Sequence, residues 1–330
     1  MPQACITGTG SKIPKRILSN KDLENIVDTT NEWIIRRTGI NERRLSSKGK
    51  SESTTDLATR ASFKALEMAG ISPKSLDMIV VGTVTPDRQF PSVACMVQEA
   101  LNADNAASFD ISAGCSGFIY ALSMVSNAIQ CGTCRTGLVI GVERLSSIIN
   151  WQDRNTCVLL GDGAGAVVLG STNNHVGILS THLKSDGRFG DLLYSSDGNT
   201  YTPKILKGLE IKPFHLIMDG NRLFKQAVGC LSEIATEALQ YNSISSDEID
   251  ILIPHQANIR IIKAMAKNLR IPMKKVYTNI HKYGNTSSAS IPIALDEANR
   301  EGLINKGAHV LLVSFGAGLT WGASLLKWRI

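Results

Sequence analysis

The feature that most constrains this chain is that it states one plan twice. The segments ATRASFKALEMAGISPKSLDMIVVGT (58–83) and ATEALQYNSISSDEIDILIPHQAN (235–258) share an order of parts: an amphipathic helix, a polar turn, then an apolar strand core. An aspartate stands one residue ahead of each strand core, Asp77 in the first copy and Asp250 in the second. SAGCSGFIYAL (112–122) and NTSSASIPIAL (285–295) are both small-residue turns opening an apolar helix that ends in Ala-Leu. FGAGLTWGASLL (315–326) echoes GDGAGAVVLG (161–170), which reads as a glycine-rich strand pair. Strands alternating with helices in two similar halves predict an α/β protein of two packed layers with a common plan. The halves divide within 171–175, giving residues 1–172, with the Cys115 turn, and 173–330, with His255 and Asn285. From there to Asp219 the periodicity is weak, and the stretch reads as an insertion covering a site.

Local signals fill in the plan. Asn20 reads as the N-cap of a first short helix, and Thr54–Gly70 as an amphipathic helix stopped by its glycine. Val93 to Leu101 is a helix, Ala107–Ile111 a strand, and a further helix begins near Gly117. Strands follow over Gly137–Val142 and Ile249–Ile253. The longest uncharged run, Val310 to Leu326, contains three glycines and three hydroxyl residues. Two strands around a turn fit it better than a membrane span, which needs roughly 20 mostly apolar residues. The start, MPQACITGTG, lacks the charged region and apolar core of a signal peptide. Seven cysteines (5, 95, 115, 131, 134, 157 and 230) make no disulfide framework, and the lone Cys131-x-x-Cys134 has no second pair to complete a zinc site. A cytoplasmic chain with reduced thiols and no metal is expected. Its net charge of +6 suggests an acidic partner, but only 5% of residues are aromatic and no long basic run is present, which argues against nucleic acid.

Cys115 stands between a strand end and a helix start, where backbone N–H groups and the helix macrodipole are expected to lower its pKa. Its neighbours Ala113, Gly114, Ser116 and Gly117 lack bulk, so another molecule could approach the sulfur. A small residue filling a core gap is the alternative. His255 directly follows an apolar strand, Asn285 opens a turn, and Phe315-Gly316-Ala317-Gly318 allows close backbone approach. Each also has a purely structural reading, as a packed histidine, an N-cap and a tight turn. Trp33, Arg36, Arg37, Arg43 and Arg44 are either a solvated surface or a platform for an anionic, aromatic ligand. Arg260, Lys263, Lys267 and Arg270 recur at helical spacing, as a solvated face or as a dock for an acidic protein.

Taken together, GCSGFIYAL, PHQAN 140 residues beyond Cys115, YGNTSSAS, FGAGLTWGASLL, NEWIIRRTGI and GDGAGAVVL resemble the β-ketoacyl-acyl carrier protein synthase III family, of thiolase-like fold. The likeness spans essentially the whole chain. It implies a five-layered αβαβα sandwich and a decarboxylative Claisen condensation between an acyl-CoA primer, acetyl-CoA foremost, and malonyl-acyl carrier protein. Cys115 would be the nucleophile, and His255 and Asn285 the donors to the enolate. The backbone N–H groups of Cys115 and Ala317 would form an oxyanion hole, although the family often has Gly at the latter position. Trp33, Arg37 and Arg154 match positions flanking CoA, while Met218, Gly220, Phe224, Asn258 and Phe315 match its tunnel and substrate contacts. Phe90 matches a residue that crosses a homodimer interface to wall the partner's acyl pocket. No cofactor beyond the two thioester substrates is implied. A related condensing enzyme of secondary metabolism shares every one of these motifs.

Overall fold

The computed structural model describes residues 2–47, 50–172, 176–196 and 215–330. The repeated plan becomes two sheets. The first has five strands in the order Gln3–Lys12, Asp162–Thr172, Thr136–Arg144, Met78–Gly82, Ala107–Ile111. The second has four, in the order Gly177–Ser185, Thr320–Lys327, His309–Gly316, Ile251–Pro254. In both, a strand after an outer helix lies parallel to the next long strand, which is followed by two antiparallel neighbours. Where the first sheet adds Ala107–Ile111, the second has only a parallel bridge from Leu252 to Val276. Asp77 and Asp250 do the same job in their copies. Asp77 Oδ2 accepts the backbone N–H of Arg135 and Thr136 (2.8 and 3.0 Å), and Asp250 Oδ2 that of His309 (2.8 Å). Each pins the start of the parallel neighbour strand.

Three of the four apolar cores among the described residues make five layers of this. Between the sheets lie the helices Gly117–Gln130 and Ser290–Arg300, with Phe118, Leu122, Ile291 and Leu295 in a core shared with both sheets. Thr54–Ala69 and Val93–Leu101 cover the outer face of the first sheet, and Gly220–Tyr241 and Ile259–Asn268 that of the second. Thr54–Ala69 begins where the Ser53 hydroxyl accepts the Asp56 N–H and ends at Gly70, with φ 66°. No helix among the described residues is long and apolar enough to cross a membrane.

Some local expectations are corrected. Ser19, not Asn20, caps the first helix, its hydroxyl accepting from Asp22 N–H while the Asp22 carboxylate accepts from Ser19 N–H. Asn20 is buried and donates to Ile40 O at 2.8 Å. Residues 161–170 are not a strand pair but part of the single strand Asp162–Thr172, paired on both sides. Its glycines make room instead: a Cβ on Gly165 would sit 2.6 Å from Ile293 N, in the central helix layer. The helical basic face stops at Asn268, so Arg270 lies beyond it, with φ 57°. The expected division at 172/173 falls on residues 173–175, outside the described residues, between strands ending at Thr172 and starting at Gly177. Of the expected insertion, 197–214 likewise lies outside the described residues, while Leu193–Ser195 and Leu216–Met218 pair antiparallel.

Candidate active site

Cys115 lies in a single 3-10 turn, Gly114–Ser116, between the strand Ala107–Ile111 and the helix Gly117–Gln130. The turn packs backbone to backbone on Phe315–Gly318 of the other half. A Cβ on Gly114 would sit 2.6 Å from the Ala317 nitrogen, and one on Gly316 would collide with the Cys115 nitrogen. Glycine is therefore required at both places, because each lets the backbone nitrogen of the facing turn, Ala317 or Cys115, approach closely. Ser116 Oγ donates to Thr320 O (3.0 Å) and Thr320 Oγ1 to Ala113 O (2.7 Å), tying the two turns together.

His255 directly follows Ile251–Pro254, and its backbone N–H donates to Val313 O at 2.8 Å. Its Nδ1 lies 2.6 Å from the Ser290 hydroxyl. Asn285 N–H donates to Leu159 O, and Asn285 Oδ1 accepts the Ser287 N–H at 2.8 Å. That bond leaves the side-chain NH2 for the space Asn285 lines. Cys115, His255, Asn285 and Ala317 line one cavity of about 790 Å³. Met218, Gly220, Phe224, Asn258 and Phe315 line it too, as do Leu193 and Leu216 from beside the insertion.

Burial governs the charges. It pushes the Cys115 thiol up to about 12, against the Ser287 side-chain hydrogen bond that favours the thiolate, and Glu143 adds to the rise. The backbone N–H of Cys115 favours the thiolate, as expected, but desolvation of the half-buried sulfur is the larger effect. Burial also pushes His255 down to about 3, so the imidazole is neutral. Glu143, at the end of Thr136–Arg144, has no role assigned from sequence. It is fully buried and accepts from Thr85 Oγ1 (2.6 Å), Ser288 Oγ (3.0 Å), Ser287 Oγ (3.2 Å) and Val84 N–H (3.2 Å). One carboxyl thus ties the first sheet to the turn carrying Asn285. Burial raises it to about 7. The signal in the sequence was a carboxylate closing an apolar strand.

The remaining expected site residues lie outside this cavity's lining. The guanidinium of Arg154 lies 5.1 Å from the centre of the Trp33 ring and that of Arg37 5.8 Å from it, a basic aromatic cluster. Asn258 joins it to the cavity by donating to Arg37 O at 3.1 Å. Arg43 is no part of that platform. Fully buried, it donates to Leu18 O, Asn20 Oδ1 and Val158 O, holding the hairpin Arg16–Ser19/Glu42–Leu45 to the body. Arg260 lies 5.3 Å from the Phe224 ring, and Lys263 and Lys267 are exposed on the same helix. Phe90 is 84% exposed.

Residues 109–187 match the family model for 3-oxoacyl-[acyl-carrier-protein] synthase III, and residues 239–328 that for its C-terminal part. A β-ketoacyl-[acyl-carrier-protein] synthase III of Caldanaerobacter subterraneus is 53% identical over 98% of both chains. The chain belongs to the β-ketoacyl-acyl carrier protein synthase III family. A β-ketoacyl-acyl carrier protein synthase III is the condensing acyltransferase that starts fatty acid synthesis, and the chain is such an enzyme. The crystal structure of the Aquifex aeolicus synthase III superposes with a TM-score of 0.91 at 45% identity, covering 99% of this chain and all of that one. The thiolase-like fold follows from the same likeness. A priming β-ketosynthase from the R1128 polyketide pathway superposes with a TM-score of 0.93 at 35% identity, over 99% and 96% of the two chains.

Proposed function

We propose that Cys115, His255 and Asn285 carry two half-reactions in the shared cavity. In the first, the Cys115 sulfur attacks the carbonyl of an acyl-CoA, with acetyl-CoA the favoured primer. The carbon–sulfur bond to CoA breaks, and the proton of the thiol ends on the departing CoA sulfur. In the second, malonyl-acyl carrier protein loses CO2, and the electron pair of the broken carbon–carbon bond becomes an enolate. His255 and the Asn285 NH2 donate to its oxygen. The enolate carbon attacks the acyl-Cys115 carbonyl. The Cys115 and Ala317 N–H groups hold the resulting oxyanion until Cys115 is expelled as a thiolate, which takes a proton from solvent to restore the thiol. Thioester activation and CO2 loss supply the driving force, so the reading calls for no cofactor or metal. The observation that carries it is the meeting of the three residues, from both halves, in one cavity.

The other assignments rest on the family resemblance, and position supports them. Trp33, Arg37 and Arg154 offer charge and an aromatic face to the CoA nucleotide, joined through Asn258 to a tunnel walled by Met218, Gly220, Phe224 and Phe315. Arg260, Lys263 and Lys267 offer an acidic carrier protein a landing site beside Phe224. A second copy of the chain completes the enzyme: Ala107–Ile111 is a sheet edge, and Phe90, so exposed, would enter the partner's acyl pocket. The chain is read as two halves, 1–172 and 173–330, working in the cytoplasm without nucleic acid or membrane. A role in secondary metabolism is the second reading, favoured by the likeness to the polyketide priming enzyme.

Intact mass after mixing with a panel of acyl-CoAs, then with malonyl-acyl carrier protein, tests the function. An acetyl adduct discharged as a β-ketoacyl-carrier product supports initiation of fatty acid synthesis. Loading by longer or aromatic groups alone, or discharge without the carrier, supports the second reading. No adduct from any donor would sink both.

A further inference from the structure

The Ser290 contact decides something about His255 that its position in the cavity does not. A neutral imidazole carries one proton, so one ring nitrogen donates and the other accepts. His255 and Ser290 are both buried, and Nδ1 lies 2.6 Å from Ser290 Oγ. The other bond of that hydroxyl breaks the tie. Ser290 Oγ accepts the backbone N–H of Gln256 at 3.3 Å, and among the described residues its O–H has no acceptor other than Nδ1. Were the proton on Nδ1, a buried O–H would be left without a partner, which native interiors avoid. With Ser290 donating, every group is satisfied and the imidazole proton falls on Nε2. Among the described residues Nε2 has no protein partner, on a side chain that lines the cavity. Gln256 is fixed in turn, its Nε2 donating to Pro254 O (2.7 Å) and its Oε1 accepting from Asn279 N–H (3.1 Å).

We propose that Ser290 is the positioning residue that fixes His255 as the Nε2–H tautomer, a hydrogen-bond donor rather than a base toward the malonyl thioester. The chemistry asks for this. Decarboxylation abstracts no proton; the electrons of the carbon–CO2 bond move onto the thioester oxygen, and a donor there lowers the barrier whereas a lone pair would raise it. The proposal rests on the assignment of His255 to the second half-reaction.

The test is the variant S290A, with the two half-reactions measured apart and the tautomer read by 15N NMR of histidine-labelled enzyme, His255 being assigned by its absence from H255A. Wild type is expected to show Nε2 protonated. S290A is expected to show mixed tautomers and to decarboxylate malonyl-acyl carrier protein about tenfold or more slowly. Cys115 loading by acyl-CoA should be spared, and S290T, which keeps the hydroxyl, should restore the donor tautomer. A proton on Nδ1 in wild type, unchanged decarboxylation by folded S290A, or equal loss of both half-reactions would overturn the proposal. The underlying assignment is tested by H255A: wild-type decarboxylation there would remove His255 from the step, whereas a failure of S290A alone would leave His255 in place.

Discussion

At Cys115 two local effects oppose each other and burial wins. A thiol pushed up to about 12 is almost wholly protonated at neutral pH, and its thiolate fraction grows about tenfold per pH unit. Alkylation of the Cys115 peptide by iodoacetamide is therefore expected to climb from pH 7 to pH 10 without levelling. A plateau below pH 8 would contradict that. The residue types were legible in the sequence, because Cys115, His255 and Asn285 each stand where an apolar strand or a turn gives way to something else. Their electrostatics were not. The sequence displays the turn and the helix start, but not the depth of the cavity, which tertiary packing sets. Ser290 was hidden for a related reason: its hydroxyl acts only because His255, 35 residues earlier in the chain, lies beside it.

Among the elements, the turn carrying Asn285 depends on Glu143. The acid is raised to about 7 in the folded chain, above an ordinary 4.5. Between those values the folded state holds a proton that the unfolded state has released. The stability this proton contributes is present below about pH 4.5 and lost as pH rises through about 7. E143Q carries no such charge. Its melting temperature relative to wild type is thus expected to rise between pH 4.5 and pH 7, as followed by circular dichroism. A constant difference would contradict the account. The elements themselves were largely readable, since the Asp77 and Asp250 pairing rests on strand starts that both copies repeat. What failed was where local signals had two outlets. Ser19 and Asn20 can both cap, and only the burial of Asn20 beside Arg43 chooses between them. The glycines of 161–170 suggested a turn, yet they clear space for a helix from the other half.

At the scale of the whole molecule, Cys115, His255 and Asn285 line one cavity, and Arg260 lies beside Phe224, which lines that cavity too. Charge reversal in R260E is expected to raise KM for malonyl-acyl carrier protein by severalfold and to leave acyl-CoA loading nearly unchanged, with the loss deepening at low salt. Equal damage to both half-reactions would remove the basic helix from carrier docking. Sedimentation is expected to give about twice the 35.6 kDa of one chain; a fully active monomer would rule out a shared acyl pocket.

The division of labour across the cavity is tested most directly by separating the half-reactions in C115A, H255A and N285A. C115A should lose acyl loading but still release CO2 from malonyl-acyl carrier protein. H255A and N285A should still load an acetyl group on Cys115 and lose CO2 release by roughly 100-fold. Loading abolished in H255A, or CO2 release abolished in C115A, would mean that the three residues do not divide the reaction in this way.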